Sequence, residues 1–315
     1  MITPDNFPTP DLALRSTDPA ELARVHEFAR HQADAAEALR LRLVEQLPTA
    51  TPNERVALLL RSLAELIEWR YQVARQAPGR IGVGIPLDAD RFRRSLRDTG
   101  PNFDRLGDVG RLRAGAQWDP QTRTYRGGQS TPASRIMIRY GDAALVRFEA
   151  ETTESDTLQN KVLLSGGRMV RGNRLVRGAA AARIAERLVA RVAGRGHDVS
   201  RMETGGELIY AVTAADDDAD ILHAEALSLL AEAFELDRLN RIWNWQMARY
   251  LLFQSPRTKR GSDSVIRAFV VAVGAVLFEQ APTLEQDVDL RCAVLGQFAA
   301  LRMPADWPLY PTTRR

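Results

Sequence analysis

Residues 242–269, IWNWQMARYLLFQSPRTKRGSDSVIRAF, decide how the chain is read. A tryptophan-bearing helical run stops at Ser255-Pro256, because proline cannot continue a helix and pushes the residue before it toward extended backbone. A short loop then delivers Arg257, Lys259 and Arg260, and Gly261-Ser262-Asp263 opens the next helix. The first turn of a helix carries amides without intrahelical partners and the positive end of the dipole. With basic residues beside it, that corner is a cradle for phosphate or diphosphate. A plainer reading competes: Ser262 or Asp263 caps the helix and the basic side chains are solvated.

Outward from this corner the chain is mostly helical. Apolar residues at helical spacing from Pro19 to Leu47 predict one long amphipathic helix. Thr51-Pro52-Asn53-Glu54 reads as a capping box that starts a second, running to about Arg75. Gly79 to Pro86 breaks the pattern, and Asp88 to Asp98 reads as a short arginine-rich helix. From Gln117 the period changes to two, so TRTYRG, SRIMIRY and ALVRFEA predict short antiparallel strands. KVLLSGGRMVRGNRLVRG predicts a β-hairpin turning at Arg171-Gly172-Asn173. Ala179 to Ala193 reads as helix with Arg183, Arg187 and Arg191 on one face, and GELIYAVT as a strand. Helices follow over 219–236, 238–253, 263–280 and 287–302. The expected fold class is α+β, mostly helical, with a small antiparallel sheet and hairpin inserted mid-chain. Residues 1–116 form an N-terminal helical region packed on a core of 117–315, which holds the sheet and hairpin (117–178) and a C-terminal helical bundle (218–302).

Composition sets the class. The 315 residues are 26% charged and 45% hydrophobic, which excludes collagen, disorder and a disulfide miniprotein. No apolar run reaches the roughly 18 residues of a membrane span, and the first residues lack the order of a secretory signal, so a cytoplasmic protein is expected, with later export as an effector left open. A single cysteine, Cys292, forms no internal disulfide. The net charge of +3 conceals polarity along the chain. Residues 51–200 carry 26 basic and 16 acidic side chains, whereas residues 201–250 carry 4 and 10. Such a basic half suits a polyanion. The acidic run at 216–220 sits where a helix begins and complements its dipole.

Most enzyme signatures are missing: no Walker loop, no dinucleotide fingerprint, no paired cysteines, no Gly-x-Ser-x-Gly elbow. Four histidines (His26, His31, His197, His223) lack the spacing of a metal site or a triad, so no metal is expected.

The 242–269 stretch resembles the core of the Fic/Doc (Fido) superfamily, closest to the AvrB-type avirulence effectors of plant-pathogenic bacteria. In that branch a proline is followed within a few residues by Arg-Gly-Ser at a helix start, as in Pro256 to Ser262 here. An acidic residue follows the helix and a proline-containing loop, matched by Asp287-Val288-Asp289-Leu290. Arg171-Gly172-Asn173 falls where the family has a hairpin flap, and Ser130-Thr131-Pro132 matches a Thr-Pro pair. The family's ligand-contacting histidine has no counterpart in Tyr210 to Thr213.

The resemblance implies a Fido-like fold and a glycosyltransferase that moves a deoxysugar such as rhamnose from a nucleoside-diphosphate donor to a hydroxyl on a protein or small molecule. No cofactor is bound tightly; the nucleotide-sugar, with ATP as the alternative, is the donor substrate. Lys259, Arg260, Gly261, Ser262, Asp263 and Arg267 would hold the donor, and Trp245 would face its base or sugar. Arg260 would neutralise the departing diphosphate, Asp289 would act as general base or stabilise the oxocarbenium-like centre, and Thr131 would contact donor or acceptor. The hairpin would dock the acceptor as an added strand. Two rivals are nucleotidyl (AMP) transfer of the Fic type and a non-catalytic module that binds nucleic acid or a protein partner.

Overall fold

A computed structural model describes residues 1–76 and 88–311 of the chain. The Gly79 to Pro86 break lies outside the described residues. Helix accounts for 59% and strand for 11%, an α+β fold that is mostly helical. Among the described residues no helix is long and apolar enough to cross a membrane.

Two long helices come first, α1 (Pro19–Gln46) and α2 (Pro52–Gln76). Asp18 caps α1 by accepting from the Ala20 amide. At the start of α2 the Thr51 amide donates to Glu54 Oε2 while Thr51 Oγ1 accepts from the Glu54 amide, so the capping box forms. The arginine-rich 88–98 segment departs from the single helix expected. It is a 3-10 turn over Ala89–Phe92 followed by α3 (Leu96–Thr99). Its backbone is drawn off helix by the basic loop: the Leu96 amide donates to the Arg257 carbonyl, and the Lys259 and Arg260 amides donate to the carbonyls of Arg94 and Arg91.

Strand β1 (Phe103–Leu106) and a small ribbon, β2 (Gln117–Asp119) with β3 (Thr124–Arg126), precede α4 (Pro132–Glu151). Here SRIMIRY and ALVRFEA are not strands but one helix. Thr131 and Ser134 cap each other reciprocally and Pro132 takes the first helical position. The buried residues Ala133, Ile136, Met137, Tyr140, Ala144 and Phe148 fall on one helical face. Local alternation had concealed that longer period.

The hairpin exists as β4 (Thr157–Leu163) and β5 (Met169–Val176), but it turns at Leu164–Arg168. Gly167, at φ +78°, supplies the left-handed position. Arg171, Gly172 and Asn173 lie inside β5 instead. Glycine is required at 172 because a Cβ would collide with Gln254 Oε1, which accepts from the Asn173 amide. Then follow α5 (Gly178–Ala193) and β6 (Ile209–Val212). The strand order β1-β6-β5-β4 is antiparallel throughout, so the sheet draws on both sides of residue 117.

The remaining helices are α6 (Asp216–Glu232), α7 (Arg238–Gln254), α8 (Ser262–Phe278), α9 (Val288–Val294) and α10 (Gln297–Leu301). The sequence predicts the last two as one helix over 287–302; Gly296, at φ +75°, separates them. Helix α8 is the centre of the fold. It is buried from Ser264 to Ala275 and packs against α1, α2 and α7. A helix apolar around its whole circumference needs partners on every side, and α1 and α2 supply two of them.

Candidate anion site at the start of the central helix

Ser255 closes α7, its amide bonding to the Leu251 carbonyl, and Pro256 prevents continuation. The next residues run alongside 91–96, so the loop is fixed by main-chain bonds rather than left loose. Thr258 Oγ1 donates to the Arg260 carbonyl (2.8 Å), and the Thr258 amide donates to Ser262 Oγ (3.1 Å). Gly261 caps α8 at φ +78°, and a Cβ there would stand 2.6 Å from Phe92. Its glycine is therefore demanded twice, by backbone and by contact.

This geometry gathers positive charge from three parts of the chain. Lys259 is half-buried and donates to the carbonyls of Gly100 (3.1 Å) and Pro101 (2.9 Å). Burial, then Arg191, Arg91 and Arg195, push its ammonium down to about 8, against the pull of Asp104. Arg91 is lowered by burial and then by Arg260 and Arg195. Cations that depress one another stand close together, and the charge they lack is negative. Arg260 lies exposed at the edge of this patch.

Arg70 of α2 forms the wall behind. Its guanidinium lies between the rings of Phe28 (5.0 Å) and Phe92 (4.2 Å), and its Nε donates to Ser264 Oγ (3.0 Å). Burial pushes it down to about 10; Asp263 pulls it up and Arg260 pushes it further down. Arg70 thus feels both Arg260 and the carboxylate of Asp263.

Those carboxylates share Arg267, which is 1% exposed. Its Nε donates to Asp263 (2.6 Å), and its terminal nitrogens donate to the carbonyls of Glu285 and Gln286 and to Asp289 (3.1 Å). The guanidinium therefore fastens the loop before α9 to the first turns of α8. Two carboxylates around one cation leave an excess of negative charge. Burial and repulsion from Asp263 push Asp289 up to about 7, against Arg267, although its side chain keeps 26% of its surface exposed.

Of the residues singled out in the sequence, Lys259, Arg260, Gly261, Ser262, Asp263, Arg267 and Asp289 all lie in the loop before α8, on its opening turns or at the start of α9. Two others lie apart. Trp245 is 0% exposed, its indole N–H donating to the Val270 carbonyl (2.8 Å) with its ring edge-on to Phe278, so it packs the core instead of facing a ligand. Thr131 is fully buried and caps α4, its hydroxyl donating to the Leu112 carbonyl (2.6 Å). Conversely, sequence reasoning missed Arg70, and although the arginine-rich 88–98 segment and the basic face of α5 stand out in the sequence, nothing local shows that Arg91, Arg191 and Arg195 meet the loop, because only tertiary packing brings these segments together. Beside Gly261 the space is filled by Phe92 and Arg70.

No protein-family model matches the chain, and no curated protein does.

Proposed function

We propose that the protein is a transferase whose donor is held by its phosphates at Lys259, Arg260 and the opening of α8. On the AvrB-type resemblance, the donor is a nucleoside-diphosphate sugar and the reaction passes a deoxysugar to a hydroxyl acceptor in the cytoplasm. One observation carries the reading: Lys259, Arg260, Arg91, Arg191 and Arg195 converge from three segments beside a helix start. Fixed cations neutralise a departing diphosphate without reorganising. Asp289, with a carboxyl that titrates near neutrality, is suited to take the acceptor's proton. Asp263 and Arg267 position it.

A second reading has its own support. Arg183 and Arg187 are exposed on α5, which leads into Arg191 and Arg195 of the same patch, so a nucleic-acid backbone has a continuous basic track.

Thermal stabilisation by a panel of nucleotide-sugars, nucleotides and oligonucleotides distinguishes them. The transferase reading expects saturable stabilisation by a nucleotide-sugar, weakened about tenfold or more by Arg260→Ala and unchanged by Arg183→Ala. Oligonucleotide binding that falls steeply with salt and is lost with Arg183→Ala overturns it in favour of the second. Intact-mass analysis of a candidate acceptor then separates a gain of one deoxyhexose from a gain of one AMP.

A further inference from the structure

A cavity of about 270 Å³ opens between α2, α6, α7 and α8; it meets the donor corner at Ser262 and extends away from it along Val265 and Ile266. Its walls are mostly aliphatic, with Leu63 and Ile67 from α2, Leu252 from α7, and Val265 and Ile266 from α8. Polar groups collect at one end. Their hydroxyls are already engaged: Ser255 Oγ donates to the Leu251 carbonyl, Thr258 Oγ1 to the Arg260 carbonyl and Ser262 Oγ to the Thr258 carbonyl.

His223 of α6 is different. It lines the same cavity, is 6% exposed, and among the described residues no hydrogen bond reaches its ring. Burial drives the imidazole down to about 4, so near neutral pH it carries one N–H donor and one acceptor nitrogen.

The field at this end is positive. After burial, the next influence on the ring is Arg257, which outweighs the opposing Asp220. Asp220 is shared by Arg257 (2.6 Å) and Arg97, so the group of three keeps a net positive charge. Ser262, on the same wall, is the first residue of α8, where the dipole is also positive. Such a field favours a carboxylate over an ammonium.

We propose that this cavity binds a small aliphatic carboxylate, its chain between Leu63, Ile67, Leu252, Val265 and Ile266, and its head accepting the His223 N–H within the field of Arg257. Pockets for drug-sized ligands measure roughly 300–1,000 Å³, so this smaller one suits a medium-length chain better than a long-chain lipid. The site does not depend on the transferase reading.

Calorimetric titration of the full chain with octanoate, octanol and octylamine tests it. One-to-one binding of octanoate is expected, about tenfold or more tighter than octanol, with no binding of octylamine. His223→Phe keeps the ring volume and removes the donor, and Arg257→Gln removes the charge at the partly exposed mouth. Each is expected to weaken octanoate about tenfold and to leave octanol nearly unchanged. Ile266→Trp fills the space and abolishes both. Should that variant not fold, the two polar variants still decide. The site is overturned if octanoate binds no tighter than octanol, if His223→Phe and Arg257→Gln both bind octanoate like wild type, or if no carboxylate from hexanoate to dodecanoate saturates.

Discussion

Arg267 shows how one side chain positions a candidate site. A guanidinium in the middle of an apolar helix is tolerable because four oxygens from two segments receive it. Arg267→Met is expected to cost about 3–5 kcal/mol, since it strands two carboxylates and two carbonyls. Adding Asp289→Asn should recover part of that loss, which urea denaturation of the single and double variants would reveal. Asp289 itself predicts a pH dependence. Its folded carboxyl titrates at about 7, above the ordinary unfolded value of about 4. Between those values the folded state holds a proton that the unfolded state has released, so this group's contribution to stability falls as pH rises from about 4 to about 7. At most that amounts to ~4 kcal/mol over about three pH units. Asp289→Asn should remove this slope and gain on wild type toward pH 8, whereas an unchanged stability profile would contradict the assignment.

At the scale of elements, boundaries with their own chemistry were legible and those set by distant partners were not. Asp18, Thr51-Glu54 and Ser255-Pro256 mark helix ends with local bonds, and each end falls where the residues say. The capping box at Thr131–Ser134 was equally visible, yet the alternation after it drew the reading toward strands. In the hairpin, two glycine-bearing segments competed. Nothing near Gly172 in sequence reveals that Gln254 presses on it, so local composition points to a turn there instead of at Gly166-Gly167. Likewise the run Arg257 to Ser262 announced a basic loop before a helix, but not the Arg70 guanidinium and Phe92 ring that close it from behind. Gly261→Ala tests that closure. It combines a left-handed backbone with a collision against Phe92 and Arg70, and is expected to cost about 2–4 kcal/mol. A melting temperature within error of wild type would mean that the corner is looser than described.

Across the molecule, the buried position of α8 ties the first helices to the last. Ala29, Ala33, Ala36 and Leu39 of α1 and Leu59 and Leu63 of α2 belong to the same core as Val265 to Ala275. A chain lacking residues 1–76 should therefore expose α8 and self-associate, which size-exclusion chromatography reads directly; a monodisperse monomer of that fragment would show that α1 and α2 are dispensable. The same interlacing governs how the protein is made. During synthesis α1, α2 and β1 leave the ribosome long before α8 and β6 exist, so their apolar surfaces have no native companion until most of the chain has been translated. Packing of α1 and α2 on α8 is then a late step, and the nascent chain is a natural client for chaperones that shield early helices.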